Sequence, residues 1–280
     1  MDRWPIGVFT SIDAGLGLHL PQVRELGVRT VQIHAPHRGQ RDNEHAEQIL
    51  TMLDQANLTV TAVFGGFKGE SYADIPTVGH TVGLVPAETR EERLAEMFDI
   101  SSFARRINCN VVALHLGRVP HDHSTSEYQG VVDATRQLCE YCAKNSQNLH
   151  LETGQEPADA LRQFIADVKS SNLFINFDPA NLILYGVEEP LDALKQIGHL
   201  VRSVHCKDAR WAKNPGQEWG EEVPLGEGEV DMENYLRTLD EIGYQGPLTI
   251  EREIPQDPDR QQREISGAVQ LLENLKSSLS

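Results

Sequence analysis

Four strand-like segments in the second half of the chain each end in a residue able to hold a metal. They read Asn148-Leu-His-Leu-Glu152, Leu173-Phe-Ile-Asn-Phe-Asp178, Val201-Arg-Ser-Val-His205 and Pro247-Leu-Thr-Ile-Glu251. Side chains alternate sides along a strand. Glu152 therefore shares a face with His150, Asp178 with Asn176, His205 with Ser203, and Glu251 with Thr249. The opposite face carries Leu149, Leu151, Ile175, Phe177, Val204, Leu248 and Ile250. An oily face for packing on helices is thus paired with a polar face that converges at the carboxyl ends. A desolvated carboxylate is costly unless it is paired or metal-bound. Three acids facing one histidine cannot all be neutralised by it, whereas one oxygen-preferring divalent cation resolves the conflict.

These endings need a scaffold that brings them to one point. Strand-like runs lie near Ile6–Thr10, Thr30–His34, Thr59–Phe64, Val111–His115, Leu149–Glu152, Leu173–Asp178, Val201–His205 and Leu248–Glu251. Helical patterns separate them. Ala46, Ile49, Leu50 and Leu53 recur at helical spacing, as do Leu161, Phe164, Ile165 and Val168, and Met232, Tyr235, Leu236 and Leu239. A final helix over 257–279 carries Ile265, Val269, Leu272 and Leu275 on one stripe. Such alternation predicts an α/β protein, a (β/α)8 TIM barrel. An open doubly wound sheet is the competitor, but it spreads strand ends along an edge where a barrel gathers them. No linker interrupts residues 1–280, which read as one domain. Two long connections, from Gly65 to about Glu91 and from Lys207 to about Val230, would lie at the carboxyl-end face and suit lids.

Bulk composition narrows the partners. A net charge of −17 argues against nucleic acid, which is bound largely through Lys and Arg, and against an anionic membrane surface. Cys109, Cys139, Cys142 and Cys206 form no disulfide framework, and the Cys139–Cys142 pair lies in an apolar helical stretch. Packing thiols and an N-terminus without an apolar leader predict a cytoplasmic protein.

The segments His150-Leu-Glu-Thr-Gly-Gln-Glu156, Asn176-Phe-Asp-Pro-Ala-Asn-Leu182, Val204-His-Cys-Lys-Asp208 and Pro224-Leu-Gly-Glu-Gly228 resemble the sugar phosphate isomerase/epimerase group with a xylose isomerase-like barrel, relatives of D-tagatose 3-epimerase and inosose dehydratase. The resemblance implies that Glu152, Asp178, His205 and Glu251 hold one divalent ion, Mn²⁺ first, with Co²⁺, Mg²⁺ or Zn²⁺ as substitutes. It implies proton abstraction next to a carbonyl through a metal-stabilised enediolate, with Glu152 and Glu251 as acid and base. Ketose epimerases place a histidine three residues after the aspartate ligand; here it is Asn181. They also carry an arginine soon after the histidine ligand, for which Lys207 or Arg210 is an approximate match.

Around that centre, His34 and His115 end the second and fourth strands on the inner face and could hold substrate hydroxyls. Glu156 either faces substrate or supplies a charge at a helix start. Phe9, Phe67 and Trp211 could wall a sugar ring, with Phe64 assigned to the core, and Gly226-Glu-Gly-Glu229 reads as a bent loop near the site. The substrate expected is a small sugar or cyclitol, preferably unphosphorylated; oligomeric state is open, a homo-oligomer included. Three rivals remain at this level. An inosose dehydratase-like lyase would use the same centre. An abasic-site endonuclease of the three-zinc type needs further histidines, yet none occurs from Lys207 to Glu251. A non-catalytic sugar-binding barrel would keep the metal for structure alone.

Overall fold

The computed structural model describes residues 3–12, 18–254 and 257–279. Met1 and Asp2, which belong to the expected 1–280 span, lie outside the described residues. Eight parallel strands close into a barrel: β1 (Ile6–Ser11), β2 (Thr30–His34), β3 (Thr59–Gly65), β4 (Val111–Leu114), β5 (Asn148–Glu152), β6 (Leu173–Phe177), β7 (Val201–Cys206) and β10 (Leu248–Ile250). Each pairs with its neighbours in chain order, and β1 closes on β10. The expected TIM barrel is present, with no strand end displaced by more than one residue. His115, Asp178 and Glu251 stand just beyond their strands, where the chain turns out of the sheet.

Alternation sorts the side chains as the pattern requires. Leu149, Leu151, Ile175, Phe177, Val204, Leu248 and Ile250 are buried outside the cylinder in one large apolar cluster. Helices supply the other half of that cluster. In α6 (Ala158–Val168) the buried residues include Leu161, Phe164, Ile165 and Val168; in α9 (Met232–Glu241) they include Met232, Tyr235, Leu236 and Leu239. The helix α2 (Asn43–Ala56) starts where Asp42 accepts from the His45 amide and stops at Asn57, whose φ of 55° turns the chain away. In α10 (Pro258–Ser278), Ile265 and Leu272 are buried and Val269 and Leu275 flank them. All four cysteines are buried thiols. No described helix is long and apolar enough to cross a membrane.

Both long connections carry structure that periodicity did not reveal. The first contains the short helix α3 (Ile75–Thr81), opened by Asp74, which caps the Thr77 amide at 2.7 Å. Glu70 cinches the same connection, accepting from Phe67 N at 2.9 Å and from Gly83 N at 2.8 Å. The second folds into an antiparallel hairpin of β8 (Asp208–Arg210) and β9 (Glu221–Val223). Both strands are too short for an alternation signal. Their anchor is one buried carboxylate: Asp208 accepts from the amides of Ala209, Gly226, Gly228 and Val230 at 2.9–3.1 Å. Gly228 has no side chain because any Cβ there would strike Asp208.

Removing that anchor should release the hairpin. Asp208→Ala orphans several buried amides and should cost on the order of 3 kcal/mol, read from urea midpoints, with new proteolytic cuts appearing first between Arg210 and Val230. Unchanged midpoint and protection would refute the anchoring role.

Candidate metal centre

The mouth of the barrel is set by contacts between neighbouring strand ends. Thr153 Oγ1 accepts from Asp178 N at 2.7 Å and donates to Asp178 O at 2.8 Å, fixing the ends of β5 and β6 together. Asp178 also starts α7 (Pro179–Leu184), its Oδ1 accepting from Asn181 N at 3.0 Å. The amide of Glu251 donates to Cys206 O at 3.2 Å, and Tyr235 Oη donates to His205 O at 3.1 Å. Backbone and caps therefore place Glu152, Asp178, His205 and Glu251 before any ion contributes.

Their ligand atoms lie within 4.8 Å of one another. His205 Nδ1 is 3.0 Å from Glu152 Oε1, 3.2 Å from Asp178 Oδ2 and 2.8 Å from Glu251 Oε2. One ring nitrogen carries at most one proton and cannot satisfy three acceptors. Its tautomer sharpens the conflict. Gln32 Oε1 meets His205 Nε2 at 2.7 Å and requires a proton there. Asn176 Nδ2 also approaches Nε2, at 3.2 Å, and would require a lone pair. The shorter contact decides it, especially as Gln32 Nε2 is itself directed to Asn176 Oδ1 at 3.4 Å. A neutral ring with its proton on Nε2 turns an Nδ1 lone pair towards three carboxylates. Without a cation, and although burial opposes it, the charge of Glu251 and the hydrogen bonds to Asp178 and Glu152 hold His205 well above its usual range and favour a second proton on Nδ1. Glu251 Oε2, although close to Nδ1, is buried without a properly aligned hydrogen bond. Four electron-pair donors around one point, one of them orphaned, fit a divalent cation. Without one, burial pushes Glu251 up to about 8 against the pull of Lys207 and His205.

Gln32 and Asn176 were absent from the expected site. Both occupy inner-face positions at irregularities: register shifts between Val31 and Gln32 against β3, and between Ile175 and Asn176 against β7. Bulges commonly re-aim side chains beside active sites. Periodicity assigns both residues to the inner face but gives no sign that they converge on His205.

Above these four residues opens a cavity of about 540 Å³. Its lining includes His34, His115, Asn181 and Lys207, which the sequence put forward, together with Glu70, Tyr72, Tyr185, Trp219, Glu222 and Glu253, which it did not. Asn181 Nδ2 donates to Thr153 O at 3.1 Å and reaches Glu152 Oε1 at 3.5 Å. His115 is held neutral by burial; its Nδ1 accepts from Gly117 N at 3.3 Å, leaving a buried Nε2–H without a protein partner. Two proposed residues stand elsewhere. Glu156 is buried off the cavity, accepting from Val119 N at 2.8 Å. Arg210 is exposed and donates to Glu227 O through Nε and Nη2. The apolar wall also differs: Phe9 and Phe64 each place a ring 5.4 Å from that of His205, whereas Phe67 lies under Arg93 and Trp211 packs on the outer cluster. Lys207 pairs with Glu222, Glu251 and Glu253.

The family model described as a xylose isomerase-like TIM barrel matches residues 20–275. The chain belongs to the xylose isomerase-like TIM barrel family. A xylose isomerase domain protein from Planctomyces limnophilus is 54% identical, with a TM-score of 0.96 over 99% of this chain and 98% of its own. A D-psicose 3-epimerase solved in the presence of D-fructose shares the fold at 14% identity and a TM-score of 0.73, over 97% and 99% of the two chains. An inosose dehydratase from Clostridium botulinum is 30% identical over 120 residues, 39% of this chain. That match spans only about two-fifths of the dehydratase, 39% of its length. Among xylose isomerase-like barrels, then, this chain resembles proteins named for different reactions.

Two measurements probe the centre. Gln32→Leu frees the His205 ring to rotate and should weaken Mn²⁺ binding roughly 10–100-fold, measured by titration calorimetry; unchanged affinity would show that Gln32 does not orient the ring. Glu156 is pushed up by burial to about 7 from 4.5, with its hydrogen bond from Val119 opposing. Its protonated form is the one the fold favours, so its contribution is full below pH 4.5 and is lost as pH rises through about 7. Across that window wild type should lose up to roughly 3 kcal/mol relative to Glu156→Gln, and parallel stability profiles would contradict a buried titrating carboxyl.

Proposed function

We propose that this chain is a divalent-metal-dependent sugar isomerase/epimerase, with Glu152 and Glu251 as the acid/base pair. The carrying observation is His205 Nδ1 facing three carboxylate oxygens within 3.2 Å, a set of donor atoms that one cation can satisfy together. Three oxygens and one imidazole suit Mn²⁺, with Co²⁺, Mg²⁺ or Zn²⁺ as substitutes. A cation held there supplies a Lewis acid that makes a C–H next to a carbonyl acidic enough to remove. Glu152 and Glu251 flank the centre from β5 and β10, separated in the ring by β6 and β7. Asp178 is a poorer base because its Oδ1 is committed to the α7 cap. His115 supports a substrate oxygen through its unpartnered Nε2–H, and Asn181 holds Glu152 in place. Phe9 and Phe64 exclude water beside the His205 ring.

A carboxylate on one side takes the carbon proton. Return by the other to the opposite face inverts the centre; return to the adjacent carbon exchanges aldose and ketose. The match to inosose dehydratase favours a second reading, in which a β-hydroxyl leaves instead and the substrate is a cyclitol.

Heavy water separates these readings. The metal-loaded chain should place deuterium next to the carbonyl of a ketose without mass loss, whereas a dehydratase yields an ultraviolet-absorbing enone. Glu152→Gln and Glu251→Gln should each lower exchange by about 10²–10⁴-fold, with metal content measured separately by mass spectrometry. Wild type inert towards every ketose and inosose offered would end the enzymatic reading.

A further inference from the structure

Lys207 is the one Lys or Arg among the described residues lining the cavity, and it is already engaged. Its Nζ lies 3.2 Å from Glu253, 3.5 Å from Glu251 and 3.9 Å from Glu222, with the side chain 3% exposed. The next cation behind it is engaged as well: Arg252 contacts Glu222 at 2.6 Å and Glu264 at 2.8 Å. The stretches 13–17 and 255–256 contain no Lys or Arg. Glu70 adds a further carboxylate to the lining, so even with a divalent ion at the centre the wall stays acidic.

We infer that the cavity selects an uncharged polyhydroxylated ketose or cyclitol and rejects its phosphate esters, because its single ammonium is held by Glu222, Glu251 and Glu253. This deepens the proposed proton-transfer reading and rests on it for the reaction, but the charge selection itself is a property of the wall. A phosphate entering would meet Glu253 at the rim, 64% exposed, before it could reach Lys207. Displacing Glu253 from Lys207 would leave that carboxylate facing the incoming dianion, and like charges in a partly desolvated site repel strongly. Hydroxyl groups carry no such penalty and can accept from His115 and donate to the same carboxylates.

Two arms test the inference. In the first, the metal-loaded full chain is offered D-fructose and D-fructose 6-phosphate in heavy water, and kcat/KM for exchange should favour the neutral ketose by at least about tenfold. Equal or better exchange into the ester overturns the inference; exchange into neither excludes D-fructose as a substrate and leaves the second arm to judge selection. In that arm inorganic phosphate is titrated into the chain without added metal, followed by ³¹P line broadening. Wild type should show no millimolar binding. Glu253→Gln should gain detectable binding, and Glu253→Lys should gain more, with melting curves confirming that both variants are folded. Phosphate binding by wild type, or no gain in either folded variant, overturns it.

Discussion

A single ring nitrogen shared among three carboxylates is the constraint on which the molecule turns. Inside the barrel mouth His205 Nδ1 has Glu152, Asp178 and Glu251 within 3.2 Å. Left alone, that arrangement is an electrostatic conflict, since the acids repel and the imidazole answers only one of them. The fold holds it together by means independent of the acids. Thr153 ties two strand ends, Asp178 caps α7, and Gln32 sets the tautomer from the far side of the ring.

A second tier of charge surrounds the first. Lys207 and Arg252 link Glu222 on the β8–β9 hairpin to Glu251, Glu253 and Glu264. The hairpin is itself shaped by the four amides that converge on Asp208. The connection after β7 thus forms a wall of the cavity whose position is coupled to Glu251. Opposite it, Glu70 fixes the connection after β3 and carries Tyr72 to the same rim. Loops assigned to lids by their length are held in place through two carboxylates, a buried Asp208 and a half-buried Glu70, that accept backbone N–H groups, a charge-assisted arrangement stronger than neutral turns provide.

The family relationship is broader than any one reaction. A close structural likeness to the Planctomyces limnophilus protein accompanies partial matches to a dehydratase and a shared fold with an epimerase. Such breadth is expected of a scaffold that keeps its chemistry on loops at the carboxyl ends of strands. In this chain the wall of the cavity carries two tyrosines, one tryptophan, the unpartnered His115 Nε2 and an ammonium surrounded by acids.

Alternation in Asn148–Glu152, Leu173–Asp178, Val201–His205 and Pro247–Glu251 was sufficient to separate an oily outer face from four inward residues able to hold a metal, because strand geometry repeats every two residues and requires no partner. Barrel closure followed, since only a ring brings four such ends together. The sequence did not disclose that Gln32 reaches across to His205, that Tyr72, Tyr185 and Trp219 build the wall, or that Arg210 and Glu156 stand apart from it. These depend on bulges in two strands and on loops without periodicity, where position is fixed by contacts between residues distant in the chain. Local pattern determines which way a side chain points from its own strand; only the closed cylinder decides which other side chain it meets.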